Sequence, residues 1–107
     1  MEAVLIYVTC PSLEEARKIG RKLVEERLAA CVNIFPVNSI YFWEGEVKGA
    51  LEFALIIKTL EEKYEDIEKM VKDLHSYDNP CVVCLKVFKA SENFVGWIRN
   101  VISEPRK

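Results

Sequence analysis

Apolar and polar positions in the first third of the chain predict a strand followed by a helix. Residues 3–10 form a β-branched and aromatic run ended by Pro11, which is typical of a buried strand. Ser12 opens a Ser-Leu-Glu-Glu capping box, in which Glu15 is expected to reach back to the Ser12 amide. Apolar residues then recur every three or four positions, so a helix should end near residues 29–30.

A long hairpin is predicted next. Residues 31–43 have strand composition but include Pro36, which cannot donate to a ladder and so implies an edge position or a bulge. Residues 44–46 supply a turn, and residues 47–59 alternate with period two. The second strand should span about 40 Å, whereas the first helix covers less than about 30 Å. The hairpin should therefore project beyond the rest of the fold.

The last part of the chain predicts helix, strand and helix. A second capping box at residues 59–62 begins a helix that should end around His75, and residues 76–80 form a turn-rich connector. A short strand is expected over residues 81–88, and Ser91 should cap a final helix.

The element order β-α-β-β-α-β-α predicts an α+β fold, a ferredoxin-like β-α-β-β-α-β sandwich with a long hairpin and a C-terminal helix. Right-handed crossovers give the sheet order 4-1-3-2, with both main helices on one face. This topology collects Cys10, the connector after His75 and Cys81 at one edge and places Cys31 at the opposite edge. At 107 residues, the chain should form a single domain over residues 1–107.

Composition narrows the classes of partner. Fifteen Lys and Arg against 17 Asp and Glu give a net charge of -2 without a basic block, which argues against nucleic-acid binding. The longest apolar run, residues 3–8, is far shorter than the roughly 20 residues of a membrane span, and no basic segment precedes it. We therefore expect a cytoplasmic protein with neither nucleic acid nor membrane as a partner.

Aromatic residues near the hairpin tip suggest self-association. Tyr41 and Trp43 have strand spacing and share one face, beside Phe42. An aromatic two-stranded ribbon projecting alone into water would be unstable and adhesive, so another subunit should cover it. Interfaces favour such rings, although stacking on a ligand remains an alternative.

The four cysteines offer thiol chemistry. Cys81-x-x-Cys84 has the spacing of half a zinc site, but positions i and i+3 of a strand point to opposite faces, which excludes a zinc ribbon. Cys10 should lie close to Cys81, where a disulfide, a soft-metal pair or two half-buried thiols would fit. The absence of Gln and the abundance of Glu, Lys and Arg are compatible with a heat-adapted source, in which intracellular disulfides persist.

His75 is the only histidine. At the C-terminal end of a helix, a charged imidazole would be stabilised by the helix dipole, which gives it a purely structural role. The same sheet edge collects Cys81 and Cys10, and imidazole with thiolate suits copper or zinc. The metal-ligand hypothesis is therefore His75, Cys81 and Cys10.

The joint spacing of several motifs resembles the CutA divalent-cation-tolerance family over nearly the whole chain. These motifs are Cys31-x-Asn33, Ser39-x-Tyr41-x-Trp43-x-Gly45, Glu52-x-x-x-x-x-Lys58-Thr59, His75-x-Tyr77-x-x-Pro80 and Trp97-Ile98. The resemblance implies a ferredoxin-like homotrimer that binds copper or another divalent metal ion and has no established enzyme activity.

The chain departs from the family's bacterial copper-site pattern, which has a cysteine in the first strand and paired histidines before Pro-Tyr. Val8 stands at the first position, and Leu74-His75 stands in place of the pair. Only His75 carries over. Ser76 replaces the usual proline, and Cys81 replaces an acidic residue that is frequent in the family.

Two other classes compete with a metal-binding trimer. A regulatory module similar to the PII proteins would bind a small ligand in clefts between subunits of a similar trimer. An acylphosphatase-like enzyme needs an arginine in a phosphate loop after the first strand, but residues 10–15 offer carboxylates there. The expectation is therefore a protein without enzymatic activity.

Overall fold

The computed structural model describes residues 2–104 and forms a four-stranded antiparallel sheet with three α-helices. In chain order its elements are β1 (Ala3–Cys10), α1 (Leu13–Glu25), β2 (Cys31–Trp43), β3 (Glu46–Leu60), a 3₁₀ turn (Glu61–Lys63), α2 (Tyr64–Leu74), β4 (Val82–Lys86) and α3 (Glu92–Ser103). This is the predicted α+β arrangement with its C-terminal helix.

The sheet order is β2-β3-β1-β4, which confirms the topology predicted from right-handed crossovers. Strand β1 is central and antiparallel to both neighbours, with Val8 paired to Leu55 of β3 and to Val82 of β4. The C-terminal end of β1 therefore lies beside the beginning of β4, as the candidate site requires.

Helices α1 and α2 cover one face of the sheet. Side chains alternate along β1 and β3, so Val8 and Leu55 share the face that packs against these helices. The fully buried residues of this core include Ile6, Val8, Ile19, Leu23, Leu55, Ile57, Ile67 and Val71. A smaller cluster joins Leu60, on the opposite face, to Ile98 and Ile102 of α3.

Helix α1 ends earlier than predicted and helix α2 begins later, whereas α2 ends beside His75 as predicted. Helix α1 ends at Glu25, before residues 29–30, because Arg27 adopts a left-handed backbone with a φ of 60° that no α-helix continues. The second predicted capping box is wrong: the Thr59 hydroxyl donates to the Leu28 carbonyl at 2.6 Å instead of capping a helix. A 3₁₀ turn over Glu61–Lys63 therefore precedes α2.

The β2–β3 hairpin projects as predicted. Pairing with β1 stops where Cys10 meets Phe53, whereas β2 and β3 remain paired out to Trp43 and Glu46. Exposed apolar residues of this projecting ribbon are Ile40, Tyr41, Phe42, Trp43, Val47 and Leu51. Pro36 lies within β2, an edge strand, which confirms its predicted edge position.

None of the helices within residues 2–104 has the length and apolar character needed to cross a bilayer.

Candidate metal site

Three potential metal ligands converge at the edge of the sheet where β1 ends. One ligand atom each from Cys10, Glu15 and His75 lies within 4.8 Å of the other two. Cys10 and His75 were predicted to meet here. Glu15 was not predicted as a ligand, because its spacing from Ser12 indicated a helix cap. We call Cys10, Glu15 and His75 the three-donor group.

Local structure at the start of α1 places two of these donors. Cys10 is the last residue of β1 and is fully buried, since its side chain points toward the helices. The Ser12 hydroxyl accepts from the Glu15 amide at 3.1 Å, which confirms Ser12 as the N-cap. The Glu15 carboxylate accepts from the Ser76 amide at 3.1 Å, so it faces the loop after α2.

Hydrogen bonds hold His75 at its backbone amide and at both ring nitrogens. Its backbone amide closes the end of α2 by donating to the Val71 carbonyl at 2.8 Å. Its Nε2 lies 2.7 Å from the Thr9 carbonyl, and because a carbonyl can only accept, Nε2 carries the proton. Nδ1 accepts from the Tyr77 amide at 3.0 Å. These bonds define a neutral ring with its lone pair on Nδ1.

The Nδ1 atom of His75 lies on the side of the other donors. Nδ1 is 3.3 Å from a Glu15 carboxylate oxygen, and two acceptors at that distance repel unless a proton or a cation lies between them. Metal-bound histidines commonly donate their other ring N–H to a carbonyl, as His75 does to Thr9. The ring is therefore oriented for coordination through Nδ1.

The Cys10 thiol is held in its neutral form. Burial raises the pKa of Cys10 to about 12, with further increases from the negative charges of Glu15 and Glu52. A thiolate is the form that binds metals, so a bound cation would have to displace this proton. One thiolate, one imidazole and one carboxylate are donors that suit zinc and copper better than calcium or magnesium.

Cys81 lies outside the three-donor group, exposed, in the residue before β4. Burial and, second, the Glu52 carboxylate raise the pKa of the Cys81 thiol. Of the predicted ligands, the structure thus brings together His75 and Cys10 but not Cys81. All four cysteines are free thiols, so Cys10 and Cys81 are not bridged.

Tyr77 and Glu52 form a contact beside the group that sequence spacing does not reveal, because 25 positions separate them. The Tyr77 hydroxyl donates to the Glu52 carboxylate at 3.1 Å, and Glu52 is only 8% exposed. Burial, and then the hydrogen bond to Glu52, raise the pKa of Tyr77 to about 12. The Tyr77 ring also packs on His75, with centroids 4.9 Å apart.

Comparison with known proteins identifies the family. The model of the family described as CutA1 divalent ion tolerance protein matches residues 4–101. The chain belongs to the CutA1 family. This result confirms the resemblance drawn from the motifs. CutA1 is not a known enzyme family.

CutA1 relatives cover nearly all of this chain. The divalent-cation tolerance protein CutA of Archaeoglobus fulgidus is 45% identical over 97 residues, which are 91% of this chain and 95% of that protein. A solved structure of the A. fulgidus protein has a TM-score of 0.93 at 44% identity, covering 94% of this chain and 99% of that one. The CutA1 fold is thus shared at the level of the whole chain.

The expectation of a cytoplasmic protein is wrong. The A. fulgidus structure is described as a periplasmic divalent cation tolerance protein. The Arabidopsis thaliana protein CutA, 39% identical over 92% of this chain and 54% of its own length, is chloroplastic. Both findings point away from the cytoplasm. Composition could not reveal this, because a folded domain of mixed charge is compatible with several compartments.

Proposed function

We propose that this protein is a single-domain, homotrimeric divalent-cation-tolerance protein that binds copper or another divalent metal ion and has no enzymatic activity. The observation that carries the proposal is the convergence of Cys10, Glu15 and His75 within 4.8 Å. Glu15 takes the place that the sequence hypothesis gave to Cys81. The family, CutA1, supports divalent cations as the ligand class.

The surroundings of the three-donor group support metal binding over a purely structural role. The ring of His75 is fully buried and its Nδ1 faces the Glu15 carboxylate, which would stabilise a cation held between them. Deprotonation of Cys10 would then be favoured by the bound charge, although the pKa of the free thiol is about 12. Zinc and copper combine the required affinity for sulfur and nitrogen.

Exposed apolar side chains support self-association. Ile40 is 80% and Phe42 is 74% exposed on the ribbon that projects beyond β1. Contiguous apolar surface of this kind is typical of a protein–protein interface. The number of three subunits comes from the family resemblance, whereas the ribbon supports only the need for a partner copy.

Titration with Zn²⁺ and Co²⁺ tests the proposed site. Calorimetry measures affinity, and thiolate-to-cobalt charge transfer reports coordination by Cys10. We expect Cys10→Ala and His75→Ala to weaken binding at least tenfold, because each removes a ligand. The matched control for Cys10 is Cys84→Ala, since Cys84 is exposed and lies outside the group.

Two neighbouring glutamates in the first turn of α1 test whether the Glu15 carboxylate is a metal ligand. Glu14 and Glu15 are adjacent in the first turn of α1, but only Glu15 belongs to the three-donor group. Glu15→Gln should weaken metal binding, whereas Glu14→Gln should retain it. Equal affinities in both variants would exclude Glu15 as a ligand. No metal binding by the parent, with a melting temperature raised by an anionic metabolite, would favour the PII-like alternative.

A further inference from the structure

We propose that metal binding at the three-donor group is coupled to the Tyr77–Glu52 contact, so that occupancy of His75 Nδ1 loosens Tyr77 from Glu52. This inference rests on the proposed metal binding and adds its regulation. It follows from one conflict: the Nδ1 lone pair that a metal would need already accepts the Tyr77 amide at 3.0 Å.

The conflict cannot be avoided by using the other ring nitrogen. Nε2 donates to the Thr9 carbonyl at 2.7 Å, and only Nδ1 lies 3.3 Å from Glu15. A neutral imidazole has a single in-plane lone pair, on its unprotonated nitrogen. The metal and the Tyr77 N–H therefore compete for the same electrons, and binding has to release the amide.

Glu15 presents no such competition. Its carboxylate accepts from the Ser76 amide at 3.1 Å. A carboxylate has two oxygens and about four lone-pair sites, so it can keep this hydrogen bond and still coordinate a cation. Metal binding therefore breaks the hydrogen bond of the Tyr77 amide and leaves that of the Ser76 amide in place.

Tyr77 is held at both ends. Its amide donates to His75 Nδ1, and its hydroxyl donates to Glu52 at 3.1 Å, while its ring lies against the imidazole. Movement of the amide away from Nδ1 thus strains the hydroxyl contact. By thermodynamic linkage, whatever stabilises the contact with Glu52 weakens metal binding, and metal binding weakens the contact by the same factor.

Glu52 lies at the base of the projecting hairpin. It is the first β3 residue beyond Phe53, which forms the last pair with β1 at Cys10. Alternation along β3 places Glu52 on the face opposite Leu55, which packs under the helices. Tyr77 therefore links the three-donor group, on the helix side of the sheet, to Glu52 at the base of the hairpin on the other side.

Zn²⁺ titration of Tyr77→Phe tests the coupling. This variant keeps the ring and the amide but lacks the hydroxyl, so release of the amide becomes easier and Zn²⁺ affinity should rise about fivefold. Tyr64→Phe is the matched control, because the Tyr64 hydroxyl also donates to a carboxylate, that of Glu68, at 3.2 Å, and Tyr64 is not part of the three-donor group. Its Zn²⁺ affinity should equal that of the parent.

Glu52→Gln separates the hydrogen bond from charge. Glutamine still offers an oxygen to the Tyr77 hydroxyl but removes a negative charge, so Zn²⁺ affinity should not rise as it does in Tyr77→Phe. In the parent, Zn²⁺ should also shift the Tyr77 amide resonance and speed its hydrogen exchange.

Failures of the two proposals are distinguishable. A parent that binds neither Zn²⁺ nor copper contradicts the proposed function, and the coupling with it. A parent that binds Zn²⁺ with the same affinity as Tyr77→Phe, or that keeps its Tyr77 amide resonance unchanged when saturated, contradicts the coupling alone.

Discussion

The hydroxyl of Thr59, the penultimate residue of β3, donates to the backbone carbonyl of Leu28 at 2.6 Å. The two residues are 31 positions apart, and Thr59 is fully buried. This bond fixes the turn between α1 and β2 against the sheet.

Thr59→Val should therefore destabilise the protein by about 1–3 kcal/mol, because the isosteric side chain leaves the Leu28 carbonyl without its donor. Urea unfolding measures the effect. Thr9→Val is the matched control, since its backbone carbonyl, and not its hydroxyl, makes the bond to His75. Both substitutions keep a β-branched side chain, so equal losses of stability would contradict a specific contribution of the hydroxyl bond to Leu28.

The two helical glycines should respond differently to alanine. A Cβ at Gly96 in α3 has no atom within 4 Å, so Gly96→Ala should raise stability by about 0.5–1 kcal/mol through helix propensity. A Cβ at Gly20 in α1 meets Val32 Cγ1 at 3.2 Å and Leu55 Cδ2 at 3.7 Å, so much of that gain should be lost. Thermal unfolding of both variants checks the order. A larger gain at Gly20 would contradict it.

Alkaline pH should destabilise the metal-free protein through Cys10. Its pKa is about 12 in the folded chain against an ordinary value of 9.0, so the folded state binds the proton more tightly. The stabilising contribution is fully present below pH 9.0 and is lost as pH rises toward 12. Lysine side chains also titrate in this pH range. The difference in unfolding free energy between the parent and Cys10→Ala, measured against pH, isolates the contribution of Cys10 because the lysines are the same in both proteins. Parallel stability curves for the two proteins would refute it.

The projecting ribbon should govern assembly. Trp43 is 58% exposed near the tip, and Trp43→Ala should weaken association by a few kcal/mol if, as expected, the ring is buried between copies. Light scattering measures the mass, for which a free chain gives 12.4 kDa. Leu13→Ala, at an exposed apolar position on α1, is the control and should leave assembly intact. A monomeric parent would overturn the proposed trimer.

The parts of the fold that depend on local pattern could be predicted. The observed bounds of β1 and β2 are the predicted ones, and Ser12 caps α1 as expected, because runs and caps involve residues near in sequence. The early end of α1 could not be predicted, since a left-handed arginine at position 27 carries no compositional signal.

Tertiary contacts replaced two local interpretations. Glu15 and Thr59 both fit capping boxes, yet each side chain bonds a backbone group more than 30 positions away. Topology correctly brought Cys10 to the His75 edge, because it depends only on strand order. Topology could not show that Cys81 would lie outside the three-donor group, because Cys81 precedes β4 and strand order does not fix the position of its side chain.

Pro36 has a consequence for how sheets of this protein can grow. On an edge strand proline is tolerated where its missing N–H would face outward, so the free edge of β2 lacks one donor midway along its 13 residues. A foreign strand cannot extend an unbroken ladder along this edge, which is the step that propagates amyloid-like fibrils. The proline thus protects a long, apolar hairpin from open-ended polymerisation while leaving shorter stretches on either side free to pair.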